Sequence, residues 1–429
     1  MSSKQFLWQV TSYIRSKEAR GYVEKELQHH LTQSKQAWIN KGYSPEEAEQ
    51  KAIAEMGSAT QLGKAMDKIH RPKWDFWLIG AVILLLIASF IPIVTTDFNQ
   101  QFGQDITRYF LENKMIHIVL AVATIAVIMY VDYRKLQRYS MLIYGVALLL
   151  LCILVFMPNI FVNGEAMLKI GPIRIQAWTV LPLLLIAFSG FFANHKWKLW
   201  QLVVLFLVPI YFFLALTNLV VTMFYVVIVL MLFSFSAFSR KTKFTVLSVV
   251  SAIGIALFGY GVYAYNHLLA PYQVVRIKAF LQPELYEDYP MLQLKAALEG
   301  SGWFGAKTIA FVPEAHTDYA LVQIIQAYGY SAGIAVIIVM LTIVLRILWM
   351  VRTMPRSFGK LLVLAALTLY SAQSIYSIFM VFGLLPLTSV PLPFISYGIT
   401  PVLLNAFLMG LVLSVYRRKG YIEKQVFSA

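Results

Sequence analysis

The chain is poor in charge. Only 13% of its 429 residues are Asp, Glu, Lys or Arg, against about 25% in soluble domains. With 59% hydrophobic residues, that shortage excludes an ordinary soluble enzyme and excludes disorder. Cysteine is almost absent. Cys152 stands alone in the apolar run 148–156, so an internal disulfide is excluded and packing is its role. No Gly-x-x-x-x-Gly-Lys-Ser/Thr loop occurs, which argues against ATP hydrolysis. There is no His-Glu-x-x-His, no cysteine pair and no Gly-x-Ser-x-Gly elbow, and the seven histidines are scattered. No secretory signal pattern follows Met1. Acidic residues are scarce, 21 against 36 basic ones, for a net charge of +15. In a membrane protein that excess flanks the spans on the cytoplasmic side and says little about nucleic acid.

What is present is apolar and periodic. Residues 1–74 are polar and helix-like, and the apolar runs begin at Trp74. In the first part, Ser44-Pro45-Glu46-Glu47 is a helix start with a capping-box pattern. Gly57 stops that helix, and Ser58 is placed to cap another that runs to about His70. Val23, Leu27, Leu31 and Trp38 recur at helical spacing. This part resembles a short cytosolic helical domain found ahead of some bacterial permeases and sensor-regulators. A solvated bundle that docks a partner or aids assembly is the plainer reading.

Beyond Trp74, ten segments have spanning length: about 76–95, 115–132, 139–158, 177–194, 199–216, 218–238, 244–266, 320–345, 361–382 and 399–416. Basic residues collect in every second link: Arg134, Lys135 and Arg138; Lys196 and Lys198; Arg240, Lys241 and Lys243; Arg346, Arg352, Arg356 and Lys360; Arg417, Arg418 and Lys419. That alternation places both termini in the cytoplasm. The expected fold is all-α: a polytopic membrane protein of about ten transmembrane helices behind a small cytosolic helical domain. No internal repeat supports an inverted-repeat transporter.

Three segments can carry chemistry. The longest outside link, about 267–319, holds Tyr272, Phe280, Leu281, Trp303 and Phe304, and so reads as ordered and membrane-hugging. At its end, Pro313-Glu314-Ala315-His316-Thr317-Asp318-Tyr319 puts a carboxylate, an imidazole and a hydroxyl at the outer boundary. Partial desolvation there raises an Asp toward general-base use; a plain helix cap is the competing reading. Arg276, Lys278 and Lys307 run against the positive-inside bias, which fits a diphosphate-bearing lipid. Pairing with Glu284, Glu287, Asp288 and Glu299 explains them equally well. Finally, residues 383–398 carry three prolines, two glycines and no charge. Prolines forbid a regular helix there, so the segment is a re-entrant or cavity-lining loop whose Thr388, Ser389, Ser396 and Tyr397 face something polar. Gln373, in the ninth span, reads as interhelical glue.

These motifs resemble the SEDS family (shape, elongation, division and sporulation; RodA, FtsW and SpoVE are its branches) over roughly 75–420. Gly383–Gly398 is close to the family's GLLPxTGxPLPFxSYG signature, with Ser389 in place of Gly. Pro313–Asp318 matches its PEAHTD run. Tyr272…Arg276-Ile277…Phe280-Leu281…Pro283 and Ser301-Gly302-Trp303-Phe304-Gly305 resemble its outside loop. The resemblance implies a peptidoglycan glycosyltransferase that joins lipid II at the outer face of the bacterial cytoplasmic membrane and works with a class B penicillin-binding protein. It places the catalytic base at Asp318 and substrate contacts at Arg276, Lys307, His316, Thr317, Gln293, Ser396 and Tyr397. The cofactor requirement stays open: there is no metal motif, and a divalent cation is the one candidate. A lipid-linked precursor flippase and a non-catalytic transpeptidase scaffold are the alternatives. The chain departs from the family pattern at Thr179, Pro182, Asn218 and Gln326–Tyr330, where membrane charges are lost, which implies a divergent member.

Overall fold

The computed structural model describes the chain apart from residues 100–105, 163–164, 172, 195, 268–277, 279, 283–289, 356 and 420–429. The chain divides into two compact units. One is Met1–Asp75 with the end of the last helix from Val415; the other is Phe76–Ser414.

The first unit holds four helices: α1 (Ser3–Ser12), α2 (Lys17–Asn40), α3 (Pro45–Met56) and α4 (Ala59–Ile69). The capping box forms at Ser44 and Glu47 with Pro45 at the first turn. Gly57 ends α3 at a φ of 74°, a conformation that glycine enters without a Cβ penalty. Ser58 precedes α4 without a side-chain cap bond. Val23, Leu27 and Leu31 are buried with Phe6, Val10 and Ile14. Trp38 departs from that stripe. It is half-buried, donates its Nε1 to Glu55 at 3.0 Å, and has the Lys41 ammonium 4.3 Å from its ring; a cation on the ring face is favourable at an exposed rim.

Glu49 ties α3 to α1 and α2. Its carboxylate accepts from Lys35 Nζ at 2.6 Å and from the Ser3 amide and hydroxyl, both at 2.8 Å. The Lys35 hydrogen bond, then the Ser3 bonds, hold its carboxyl down at about 2, from an ordinary 4.5. A depressed carboxyl stabilises the fold above its unfolded value and loses that contribution as pH falls. Amide protection factors across residues 1–70 in the intact protein, each rate taken relative to an unstructured chain at the same pH, are therefore expected to fall between pH 4.5 and 2. Glu49→Gln should flatten that dependence; an unchanged profile would assign the stability to other groups.

The second unit begins with α5 (Phe76–Ala88) and α6 (Ile91–Thr95), one span interrupted ahead of Pro92. Then follow α7 (Thr107–Tyr130), α8 (Tyr133–Arg138) and α9 (Ser140–Phe156), strands β1 (Ile160–Val162), β2 (Glu165–Ile170) and β3 (Ile173–Ile175), and helices α10 (Ala177–Ala193), α11 (Leu199–Ala215), α12 (Leu219–Phe235) and α13 (Arg240–His267). After these come α14 (Pro290–Glu299), strands β4 (Ser301–Gly302) and β5 (Gly305–Ala306), and helices α15 (Ala320–Thr353), α16 (Phe358–Val381) and α17 (Ile399–Arg417). Among the described residues, six spans are long and apolar enough to cross a bilayer, and four further apolar helices have 17 residues each. At 1.5 Å per residue, those four reach about 25 Å, the short end of spanning length. Together they match the ten segments expected from hydropathy. The second begins earlier than the apolar run suggests, at Thr107 rather than 115.

α16 is the hub. It packs on α10, α12 and α15, and 78% of its apolar window is buried. α10 is buried on nearly every face, which is why neither helix shows an amphipathic stripe. α13 is the opposite case: none of its window is buried, so its apolar residues face outward. The three strands form an antiparallel sheet in the order β1-β2-β3, with Ile160 opposite Met167 and Leu168 opposite Ile175. Asn159 extends it, pairing its side-chain amide with the Lys169 amide and carbonyl at 2.7 and 2.9 Å.

α15 is broken at Gly329, whose φ is 86° and ψ is 174°. The hairpin β4–β5 fits against that break. A Cβ on Gly329 would lie 2.1 Å from the Trp303 carbonyl oxygen, and the Ser331 amide donates to that same oxygen at 3.3 Å. Gly329→Ala is thus opposed by backbone conformation and by backbone overlap. It should cost about 2 kcal/mol or more, read as a lowered midpoint of thermal unfolding in detergent. An unchanged midpoint would show that the hairpin yields freely.

Candidate functional site

Residues 383–398 have no helix or strand, as Pro386, Pro391 and Pro393 require. The loop is nevertheless fixed. Val390, Leu392, Phe394 and Ile395 are each 1% exposed. The Tyr376 hydroxyl donates to the Pro386 carbonyl at 3.2 Å. The Gln373 amide donates to the Pro391 carbonyl at 2.8 Å, so this residue binds the loop rather than a neighbouring helix. Phe394 sits at a φ of 64°, an uncommon backbone for an aromatic residue. It persists because its surroundings hold it.

The strongest hold is Lys114, on α7. Its side chain is fully buried, and its Nζ donates to the carbonyls of Phe394, Ile395 and Ser396 at 3.3, 3.2 and 3.1 Å. A lysine has three donors and no acceptor, and three consecutive carbonyls match it. Such carbonyls would otherwise be unsatisfied in an apolar interior.

That loop in turn holds the acidic turn at 313–319. The Ser396 hydroxyl donates to the Thr317 carbonyl at 2.6 Å and accepts from the Leu392 amide at 2.7 Å. The Tyr397 amide donates to the His316 carbonyl at 2.9 Å. Thr317 turns its own hydroxyl to the Glu314 carboxylate at 2.6 Å instead of capping α15. Tyr319 is the N-cap of α15, with no side-chain cap bond. Asp318 is half-buried, one residue before that cap and one after the clamped Thr317 carbonyl.

His316 is 4% exposed. Its ring lies 4.8 Å from that of Phe110, 5.3 Å from Phe98 and 5.7 Å from Tyr397. Burial in this aromatic box lowers the imidazole pKa, against a smaller opposing pull from Glu314. Burial also pushes the Tyr397 phenol up to about 12. Burial thus works against both the imidazolium and the phenolate.

The sequence candidates thus separate. His316, Thr317, Ser396 and Tyr397 converge around the turn that carries Asp318. Lys307 lines a different feature, a cavity of about 430 Å³ between α14, the hairpin and α15, whose lining does not include Asp318. Gln293, on α14, keeps a buried Oε1 without a partner. Arg276, Tyr272, Glu284, Glu287 and Asp288 lie outside the described residues. Among the described residues no three His, Cys, Asp or Glu side chains gather as metal ligands. Two functional groups escape sequence reading. Lys114 sits just before the apolar run that signals a span, and an isolated charge there reads as loop. Gln323, whose amide donates to the Thr95 carbonyl at 2.6 Å, carries no local signal.

Fold and site together define a multi-pass α-helical membrane protein in which a buried lysine, a proline-rich loop and an acidic turn form one bonded unit. Comparison gives the family. A family model described as "Cell cycle protein", for FtsW, RodA and SpoVE, matches residues 75–421, and the chain belongs to that family. A probable peptidoglycan glycosyltransferase FtsW of Trichlorobacter lovleyi is 26% identical over 330 residues, covering 72% of this chain and 83% of that protein. One from Legionella pneumophila is 26% identical over 373 residues, covering 80% and 90%. Among solved structures, a chain of a peptidoglycan synthase complex superposes with a TM-score of 0.66 at 20% identity, covering 81% of this chain and 98% of that one. The rod shape determining protein RodA of Thermus thermophilus gives 0.59 at 16% identity, covering 81% and 97%. These superpositions establish the fold.

Proposed function

We propose that this chain is a peptidoglycan glycosyltransferase that polymerises lipid II at the outer face of the bacterial cytoplasmic membrane, with both termini in the cytoplasm. Asp318 takes the proton of the acceptor sugar hydroxyl as that oxygen attacks the anomeric carbon of the donor. A β-1,4 carbon–oxygen bond forms, and the bond from that carbon to the diphosphate oxygen breaks. The diphosphate leaves with the electron pair, and cations such as Arg276 and Lys307 are suited to receive it. A class B penicillin-binding protein is the partner that cross-links the product. The observation that carries this reading is the double clamp on the His316 and Thr317 carbonyls, which holds the residue after them at a fixed place. A base must be held that way to act within hydrogen-bond reach.

A scaffold without activity is the second reading, and one observation favours it. Where the family pattern carries membrane charges, this chain has groups that serve helix ends and interiors. Asn218 caps α12 by accepting from the Val221 amide at 3.1 Å, Thr179 donates to the Gln176 carbonyl at 2.7 Å, and Pro182 is buried within α10. Purified full-length chain supplied with labelled lipid II, with and without candidate transpeptidases, separates the two. Glycan ladders on a gel support the enzyme; their absence with every partner supports the scaffold.

A further inference from the structure

The cavity between α14, β4–β5 and α15 is lined by alanines and glycines of those elements together with Lys307, Thr308, Ala310 and Gln326. Its walls are small residues, and Lys307 and Gln326 are the long polar side chains among them. Gln326 is 1% exposed. Its Oε1 accepts from the Ala310 amide at 2.7 Å. That bond fixes the amide's orientation, because an N–H cannot face another N–H. The Nε2 is therefore turned the other way, buried and without a partner. A buried amide donor left unsatisfied costs about 1–3 kcal/mol, and it calls for an acceptor oxygen. Lys307, exposed on the same cavity, adds a positive charge.

The geometry points to an anion subsite: this cavity takes an anionic oxygen group, with Gln326 Nε2 as its buried donor and Lys307 as its cation. Two sources supply that chemistry if the polymerase reading, on which the choice of source rests, is right. One is the diphosphate of a polyprenyl carrier. The other is a carboxylate of the peptide borne by the sugar. Gln326 need not touch the reacting atoms; its role is to bind and orient, a function of its own.

Amine-reactive footprinting of the intact protein in detergent tests this. Lys307 labelling is followed by mass spectrometry, with exposed Lys169 on β2 as the internal control. Three probes are added in turn: inorganic pyrophosphate, farnesyl diphosphate, and a sugar–peptide lacking diphosphate. An occupied subsite should slow Lys307 labelling about threefold or more, because a paired ammonium is a poorer nucleophile, and leave Lys169 unchanged. Protection by the two diphosphates names the carrier; protection by the sugar–peptide names the peptide; no protection by any probe overturns the subsite. Gln326→Leu removes the donor and should abolish protection. Gln326→Glu keeps an acceptor for the Ala310 amide, so the local fold stands, and sets a carboxylate against the anion; protection that survives both substitutions overturns the role of Gln326. A wild-type chain that shows protection but makes no glycan sinks the polymerase reading and leaves the subsite. Glycan without protection sinks the subsite alone.

Discussion

Asp318→Asn should reduce lipid II polymerisation by about 100-fold or more, the range that a positioned general base supplies. The substitution keeps the side chain's size while removing its negative charge and its capacity to take a proton. The turn's anchors at the His316 and Thr317 carbonyls are left in place by the substitution. Two polar neighbours are poor replacements near pH 7, and Glu314, the turn's other carboxylate, already accepts from the Thr317 hydroxyl at 2.6 Å. His316 sits in an aromatic box that lowers its pKa, and Tyr397 is pushed up to about 12. Polymer yield from the purified variant with its transpeptidase is the measurement, with thermal unfolding as the control. Wild-type yield would remove Asp318 from the base role. Lost yield together with a lowered unfolding midpoint would make the residue structural.

The ten spans were legible in the sequence because lipid demands continuous apolar length, and hydropathy reports length directly. The second was misjudged at its start. Arg108, Glu112 and Lys114 look like link residues, yet Arg108 and Glu112 pair at 2.8 Å one turn apart on the exposed face, and Lys114 is buried against carbonyls. A charge within a helix is thus read correctly only when its partner is known, and the partner of Lys114 lies some 280 residues onward. The proline-rich loop and the acidic turn were legible as irregular, polar segments. Their mutual bonding was not, since Ser396 to Thr317 and Tyr397 to His316 are contacts of tertiary structure. The break at Gly329 escaped for a similar reason. A single glycine in an apolar run is common, and the positive φ follows from a hairpin about 25 residues upstream. Gln326 was visible as a departure from the family pattern; its unpartnered nitrogen appears only once the Ala310 amide is placed.

Lys114→Met should separate loop order from overall stability. Two large terms oppose each other. Removing the lysine leaves three buried carbonyls without donors, at about 1–3 kcal/mol each. It also removes a polar amine from an apolar interior, whose burial costs several kcal/mol. The unfolding midpoint should therefore move little. The loop has no such offset. Phe394 holds its positive φ only while its carbonyl and the next two are held, and without them the segment 392–397 is free to relax. The Ser396 and Tyr397 bonds to the acidic turn loosen with it. Amide exchange at Leu392, Ser396 and Tyr397 is expected to rise about tenfold or more, since each amide donates into this unit. Polymerisation should fall by about 10- to 100-fold, because a base displaced by an ångström loses most of its alignment. Unchanged exchange at those amides would show that the prolines alone hold the loop. Faster exchange with undiminished polymerisation would show that Asp318 does not depend on it.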